Sequence, residues 1–319
     1  MSVAEEEHRP SVWGFIKGFG KLIIGILLIL QGVVGLAMVL LLIGLFSGAS
    51  NFFAGGSVPV ASVPSEAALL INPNGVLVEE AEPVDPFEQA FQQVYGAEEP
   101  SQIEVGEVAR AIRNAATDNR IKGIVLDLGM LYIPEISASK AHYLAAALDE
   151  FKKSGKKVYA VGDYYSQEQY LLASRADEIY LHDKGSVVLL GYAAYDGYVK
   201  SFLEKILVTP HVFRVGTFKA AVEPFLRDDM SPEAKEANLA FLGSMWSAYK
   251  SSVESARGLQ TGAVDRFSND FNTVLRESKG DLAKAALNGG FVDKLANRIE
   301  QRKAMVEAFG ESDDEVGFK

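Results

Sequence analysis

Cysteine is absent from this chain of 319 residues. Its absence excludes disulfide bonds, thiolate nucleophiles and cysteine-ligated metal sites, and it is compatible with an oxidising compartment. Histidine is scarce as well, and its four residues lack the HExxH or i,i+4 spacing of a zinc site: His8, His142, His182 and His211. The sequence therefore gives a zinc site little support.

Positive charge is also in short supply, and the sequence shows no internal repeat. The 31 lysine and arginine residues are outnumbered by 42 aspartate and glutamate residues, so the formal net charge is -11. Binding to nucleic acid needs clustered basic residues that neutralise phosphates, and such clusters are missing here. We therefore expect no nucleic-acid partner.

One long uncharged stretch stands near the N-terminus. Residues 22–46 contain no charged side chain, and 25 residues exceed the roughly 20 needed to cross a bilayer. Three basic residues precede the stretch (Arg9, Lys17 and Lys21), whereas the next basic residue after it is Arg110. This asymmetry predicts a cytoplasmic N-terminus at 1–21, a single transmembrane helix at 22–46 and a main domain on the outer side of the membrane.

A cleaved signal peptide is the alternative interpretation, because the small residues at 47–50 could form a processing site. The apolar run is longer than the apolar region of about 7–15 residues in ordinary signal peptides, which favours a permanent anchor. Residues 47–66 are small, polar and interrupted by proline, as in a flexible linker. We therefore predict an anchor, then a linker, and then a folded domain from residue 67.

From residue 67 onward, short apolar runs alternate with segments of helical periodicity. The runs 68–71 and 76–78 flank the turn sequence NPNG and predict either a strand pair or one strand with an abrupt bend. Further strands are predicted at 121–128, 157–162, 178–181, 187–190 and 210–215, and helices at 103–116, 138–153 and 165–174. Strands separated by such helices indicate βαβ units and a mostly parallel sheet, so the fold class is α/β.

A long helix is predicted from Ser231 to Arg257. The hydroxyl of Ser231 can cap the first N–H groups, Pro232 suits the first helical position, and Gly258 follows the end. One side of the helix carries an apolar stripe, made of Leu239, Leu242, Met245, Trp246, Tyr249 and Val253. Such a stripe predicts packing against the core of the domain.

The stretch 211–232 (HVFRVGTFKAAVEPFLRDDMSP) holds the candidate catalytic residue, Lys219. A strand that ends at Gly216 would project Lys219 from the end of a sheet, among four apolar neighbours: Phe218, Ala220, Ala221 and Val222. Burial there would disfavour the ammonium form, lower the pKa of the lysine and provide a neutral amine as a general base. The spacing alone is weak support, because a single lysine is more often a surface residue.

The same stretch, read as FRVGTFKAAVEPFLRDDMSPEAKE, closely resembles the lysine segment of the SppA-type signal peptide peptidases. Three other segments agree with that family in order and spacing: KGIVLDL at 122–128, KKVYAVGDYYSQEQ at 156–169 and GYAAYDGYVK at 191–200. The resemblance covers residues 67–300 and the N-terminal anchor. It implies a crotonase/Clp-protease-like βαβ superhelix, in which Lys219 is the general base of a Ser-Lys dyad, with no metal or cofactor.

The nucleophile of that dyad is not evident in this chain. Short members of the family carry it in a Ser-Gly-Gly-Tyr-like turn after the strand that corresponds to 157–162, and the matching residues here are Gln167, Glu168, Gln169 and Tyr170. Ser166 lies one position away and is the alternative nucleophile, but a slip of one residue at a turn redirects the side chain, so a role in stabilising the turn is favoured for Ser166. Tyr165, Tyr170 and Gly191 are candidates for positions near the substrate cleft of the peptidase, but we expect them to serve in packing or in turns.

Long members of the family consist of two tandem halves, with the lysine in the first and the serine in the second. This chain resembles the first half, and residues 301–319 are interpreted as the start of a linker to the second. The resemblance implies a bacterial inner-membrane serine endopeptidase with its main domain in the periplasm. It would degrade cleaved signal peptides or other hydrophobic peptides, and the chain alone would be inactive.

The expected partners are a serine-bearing second half and further copies of the chain in a homo-oligomer. The alternative is a catalytically inactive scaffold that uses the same fold to oligomerise and to bind hydrophobic peptides. The missing serine favours the scaffold for the isolated chain. The lysine among apolar residues favours the peptidase for an intact protein, because a scaffold has no evident need for it.

Overall fold

The computed structural model describes residues 12–53, 63–83, 100–134, 137–216, 218–312 and 317–319. The chain divides into two units, residues 1–62 and residues 63–319. The first unit contains helix α1 (Val12–Phe53), and its segment Gly20–Ile43 is long and apolar enough to cross a membrane. At 1.5 Å per residue these 24 residues extend about 36 Å, which exceeds the hydrocarbon thickness of a bilayer, about 30 Å.

The predicted linker at 47–66 begins too early. Residues 47–53 continue α1, because the first proline after the apolar run is Pro59 and nothing before it removes a helical N–H donor. The rest of the predicted linker, 54–62, lies outside the described residues.

The second unit is an α/β domain. Its strands, in chain order, are β1 (Ala67–Ile71), β2 (Gly75–Val78), β3 (Gln102–Glu104), β4 (Ile121–Asp127), β5 (Leu131–Tyr132), β6 (Lys157–Tyr165), β7 (Glu178–Val187) and β8 (Lys294–Leu295). The helices are α2 (Val105–Thr117), α3 (Ala138–Lys152), α4 (Gln167–Ala173), α5 (Lys200–Lys205), α6 (Glu223–Leu226), α7 (Pro232–Arg257), α8 (Ala263–Asn269), α9 (Phe271–Glu277), α10 (Leu282–Asn288) and α11 (Arg298–Phe309).

All the strands belong to two parallel sheets. The larger has the order β1-β4-β6-β7-β8, and the smaller has the order β3-β2-β5. The NPNG turn carries the chain from the first sheet to the second, so β1 and β2 form the abrupt bend and not a strand pair. Gly75 is required there, because an added Cβ would lie 2.0 Å from the carbonyl oxygen of Ser101. The predicted parallel α/β fold is therefore confirmed.

Both faces of the larger sheet are buried, as a parallel sheet requires. On strand β4, Ile124 and Leu126 belong to the main core, whereas Val125 belongs to a second cluster with Met305 and Phe309 of α11. The predicted start of a linker at residue 301 is therefore wrong. The sequence after 300 looks hydrophilic, but α11 buries enough apolar surface to belong to the domain.

Three predicted strands also differ from the structure. The segments 178–181 and 187–190 were expected to be separate, but β7 runs from Glu178 to Val187 without interruption. Residues 210–215 form no strand, although their sequence is rich in β-branched and apolar residues. A strand needs a neighbouring edge for its backbone hydrogen bonds, and none lies beside this segment in the described domain.

Helix α7 has the predicted ends. Ser231 Oγ accepts a hydrogen bond from Ala234 N at 3.1 Å, and Gly258 ends the helix in the left-handed region with φ of 62°. The predicted core stripe holds only for the second half of the helix, where Tyr249 and Val253 are fully buried. Near the start of the helix Leu239 is exposed, because no element of the described domain covers it.

Candidate functional site

The turn that matches the nucleophile turn of the short family members lies between β6 and α4. Ser166 is the N-cap of α4, and its hydroxyl accepts a hydrogen bond from Gln169 N at 3.3 Å. In return, the Gln169 side chain accepts a hydrogen bond from Ser166 N at 2.9 Å. Ser166 therefore stabilises the turn, as its sequence position predicts, and its hydroxyl is committed to a capping box.

Two glutamine side chains close this turn. Gln167 Oε1 accepts hydrogen bonds from the backbone N–H groups of Leu190 and Gly191, at 3.1 and 2.8 Å. Gln169 Nε2 donates to the carbonyl oxygens of Leu128 and Leu131, both at 2.9 Å. Both glutamines are buried, so their amides satisfy backbone groups that would otherwise lack partners. The turn is thus a structural junction between two loops.

The junction was missed from the sequence, although one signal for it was present. The Ser-x-x-Gln spacing of Ser166 and Gln169 is the sequence pattern of a capping box. This pattern predicts where α4 starts, and it predicts that the Gln169 side chain accepts a hydrogen bond from the backbone N–H of Ser166. The contacts to residues 128, 131, 190 and 191 are separated by 23 to 41 positions along the chain, which no local pattern indicates.

The two tyrosines near this turn are packing residues, as expected. Tyr165 donates to the carbonyl oxygen of Tyr180 at 3.0 Å, and Tyr170 donates to that of Phe291 at 2.6 Å. Both rings are fully buried, and this burial raises the pKa of each hydroxyl. Gly191 has φ of 79°, a backbone conformation that favours glycine, and its N–H donates a hydrogen bond to Gln167 Oε1.

Lys219 lies in an irregular segment that leads to Glu223, the first residue of α6, and we call its described residues, 214–216 and 218–223, the lysine loop. The expected burial of Lys219 among apolar residues is wrong for this chain: the lysine is exposed, and the neighbouring Phe218 side chain is 60% exposed. The reason is that residues 210–215 do not join a sheet, so no layer among the described residues covers the loop. The aliphatic part of Lys219 instead lies against Gly216, with its Cγ, Cδ and Cε 3.7 to 4.0 Å from the position a Cβ of Gly216 would occupy.

The lysine loop is tied to the rest of the domain by ionic groups that the sequence reasoning missed. Arg214 Nη1 donates to the carbonyl oxygen of Lys219 at 3.0 Å and lies 3.7 Å from Glu223 Oε1. The carboxylate of Glu223 accepts hydrogen bonds from Ser231, with Oε1 2.6 Å from the hydroxyl and Oε2 3.1 Å from the backbone nitrogen. The hydrogen bond from the Ser231 hydroxyl lowers the pKa of Glu223. A charged carboxylate therefore holds both Arg214 and the start of α7.

The structure does not bring a nucleophile to Lys219. In the described part of the chain, no hydrogen bond or ion pair joins Lys219 to Ser166 or Gln167. Nor do the described residues contain a group of three or more histidine, aspartate or glutamate side chains that could hold a metal ion. Among the residues that the structure describes, the arrangement offers an exposed amine on an anchored loop, and no hydrogen bond joins this amine to a hydroxyl.

Comparison with known proteins gives consistent matches. Residues 150–306 match peptidase family S49. The chain is 37% identical to Protease 4 of Haemophilus influenzae over 286 residues, which are 90% of this chain and 45% of that protein. It is 36% identical to Protease 4 of Salmonella typhi over 312 residues, which are 97% of this chain and 50% of that protein. The chain thus spans about half the length of these curated relatives.

More distant matches are also found. The chloroplastic serine protease SPPA of Arabidopsis thaliana is 26% identical over 155 residues, 49% of this chain and 22% of that protein. Among solved structures, an enoyl-CoA hydratase/isomerase family protein from Silicibacter pomeroyi has a TM-score of 0.35 at 12% identity, covering 65% of this chain and 69% of that one. A membrane-bound stomatin-specific protease has a TM-score of 0.33 at 15% identity, covering 63% and 77%.

Proposed function

Because this chain belongs to the SppA-type peptidases of family S49, we propose that it supplies the general base, Lys219, of a membrane-anchored Ser-Lys endopeptidase that degrades cleaved signal peptides. The observation that carries the proposal is the contrast between two loops. The lysine loop is anchored with its amine exposed, whereas the turn that holds serine in short relatives is closed by Gln167 and Gln169. The nucleophile therefore comes from another domain.

The proposed reaction is acyl transfer in two steps. The neutral amine of Lys219 removes the proton of a serine hydroxyl while the serine oxygen attacks the scissile carbonyl carbon. The resulting ammonium gives this proton to the nitrogen of the leaving peptide, so the C–N bond breaks and an acyl-enzyme remains. Water, deprotonated by the same amine, then hydrolyses the ester and restores the serine.

The surface beside Lys219 suits a partner domain. Three apolar side chains close to Lys219 in sequence are exposed, Phe213 at 100%, Val215 at 86% and Phe218 at 60%, and we call them the lysine-loop patch. We propose that the serine-bearing half found in long relatives docks on this patch. Docking would bury apolar side chains and exclude water from the amine, and a dry site favours the neutral form that a general base needs.

An inactive scaffold is the second candidate. It is favoured by the turn at residues 166–169, here called the glutamine turn, because the side chains of Gln167 and Gln169 close this turn and no serine nucleophile stands there. In that case the lysine-loop patch would bind hydrophobic peptides or a second copy of the chain, without hydrolysis. The two functions differ in one property, which is whether Lys219 is needed for bond cleavage when a serine-bearing half is present.

The test is a reconstitution. The full chain in detergent is assayed with a fluorescence-quenched signal peptide, alone and after co-expression with the serine-bearing half of a long relative. We expect no hydrolysis by the chain alone and hydrolysis by the pair, which Phe213→Asp should disrupt by weakening docking. Hydrolysis by the chain alone that disappears in Ser166→Ala would overturn the proposal, and a stable pair without hydrolysis would favour the scaffold.

The proposal includes the orientation in the membrane. Helix α1 would anchor the chain in a bacterial inner membrane, with the basic residues Arg9, Lys17 and Lys21 on the cytoplasmic side and residues 63–319 in the periplasm. Protease added to spheroplasts should then digest the domain at residues 63–319, and the same protease should spare it in intact cells. A domain that is digested only in inverted membrane vesicles would contradict this orientation.

A further inference from the structure

The first part of the lysine loop, residues 214–216, needs side-chain contacts to hold its shape. In the described residues, no backbone hydrogen bond involves positions 209–216, and no strand or helix includes them. An irregular segment without such bonds has a large conformational entropy, which must be overcome if Lys219 is to point in one direction. After Lys219, the backbone N–H groups of Ala220 and Glu223 donate to the carbonyl oxygens of Phe218 and Ala220. Before it, the side chain of Arg214 restricts the segment through its contacts with Lys219 and Glu223.

Glu223 is held in place by burial and by hydrogen bonds from Ser231. Its side chain is 3% exposed, and both carboxylate oxygens accept hydrogen bonds from Ser231. Ser231 caps α7, a helix of 26 residues whose second half is packed in the core through Tyr249 and Val253. A buried carboxylate is unfavourable without a cation, and Arg214 lies 3.7 Å away. The pair thus connects the loop to a rigid helix.

Arg214 is the link between Glu223 and the lysine. The same nitrogen, Nη1, faces Glu223 Oε1 and donates to the carbonyl oxygen of Lys219. On the other side, the aliphatic part of Lys219 lies against Gly216, whose φ of 112° is unfavourable for residues with a Cβ. The main chain and the side chain of Lys219 are therefore restricted by separate contacts.

We propose that Arg214 and Glu223 are positioning residues that orient Lys219 toward the serine hydroxyl supplied by the partner domain. This inference rests on the proposed function for its catalytic consequence, but the ordering of the loop can be measured without hydrolysis. A general base works only within hydrogen-bond reach of its proton, so a small displacement of the amine lowers the rate of the chemical step.

The first test uses the active pair of domains. Arg214→Gln and Glu223→Gln should each lower kcat by about 10- to 100-fold while KM changes less than about 2-fold, because the substrate still binds but the base is misplaced. Arg214→Lys should recover part of kcat, since one ammonium can reach the carbonyl oxygen or the carboxylate but lacks the planar fork of arginine. A rise in KM with an unchanged kcat would contradict the positioning role.

The second test measures hydrogen exchange in the full chain without any partner. Arg214→Gln should speed exchange of the amides of Ala220 and Glu223, which bond to carbonyl oxygens within the loop, by about 10-fold or more. Glu254→Gln is the matched control, because Glu254 is also buried and on α7 but accepts hydrogen bonds from Gly262 and Val264. This control should leave both kcat and loop exchange unchanged.

The two tests separate the inference from the proposed function. If the pair of domains does not hydrolyse peptides, the proposed function fails, and exchange still shows whether Arg214 orders the loop. Unchanged loop exchange in Arg214→Gln, or a loss of kcat in Glu254→Gln as large as in Glu223→Gln, would overturn the positioning role. Far-ultraviolet circular dichroism should confirm that each variant is folded.

Discussion

Replacing Lys219 with alanine in the active pair of domains is expected to lower kcat by about 10²- to 10⁴-fold, the usual contribution of a general base. The amine removes the serine proton in the proposed reaction, and alanine has no group to replace it. KM should change little, because the proposed role of Lys219 is in the chemical step and not in binding. The measurement is steady-state hydrolysis of a quenched signal peptide.

Two further variants make this result specific. Lys219→Arg should be nearly as inactive as Lys219→Ala, because a guanidinium stays protonated at neutral pH and cannot accept a proton. Lys205→Ala, at the end of α5, removes an exposed lysine outside the lysine loop and should retain full activity. If Lys219→Ala hydrolyses peptides as fast as the unmodified pair, Lys219 is not the general base.

Replacing Phe309 with alanine is expected to lower the free energy of unfolding by about 3–5 kcal/mol. Phe309 lies in α11 and is 8% exposed, and its ring makes an edge contact with Tyr159 at a centroid distance of 5.5 Å. It also fills the space over Gly123, where an added Cβ would lie 2.9 Å from the ring. The change would leave a cavity on the second face of the larger sheet.

The matched control lies on the same helix. Ile299 is 80% exposed, so Ile299→Ala should change the free energy of unfolding by less than about 0.5 kcal/mol. Urea unfolding of the full chain in detergent, followed by the fluorescence of its two tryptophans, Trp13 and Trp246, measures both variants. Equal stability of Phe309→Ala and Ile299→Ala would mean that α11 is not part of the folded domain, as the predicted linker at 301–319 had implied.

Much of the second unit could be predicted from local sequence. The buried run at 121–128 became β4, the alanine-rich run at 138–153 became α3, and both ends of α7 were given by Ser231 and Gly258. These predictions were confirmed because each depends on short-range properties, such as side-chain periodicity and capping. The parallel arrangement followed from the alternation of strands and helices.

The predictions that failed depended on neighbours distant in the chain. The segment 210–215 has the composition of a strand but joins neither of the described sheets, and Leu239 has the position of a core residue but is exposed on α7. In the same way, α11 looked like a linker, because its few buried residues, such as Met305 and Phe309, are separated by charged ones. Composition reports whether a residue favours burial, not whether another layer is present to bury it.

The candidate site shows the same division. The family resemblance singled out Lys219 and the missing serine, but not Arg214 or Glu223, whose roles depend on a contact between the lysine loop and the start of α7. It also could not show that Gln167 and Gln169 bond to loops far away in the chain. Those contacts arise from packing, which places groups together that no sequence spacing connects.

By itself, the sequence determined the apolar segment that is long enough to cross a membrane, the helices and strands with strong periodicity, and the residue types available for chemistry, because these depend on side chains and their near neighbours. Only the tertiary structure decided that Lys219 is exposed, that the glutamine turn is closed and that α11 completes the core. Exposure and hydrogen bonding are set by which distant segments meet, and that is a property of the whole fold.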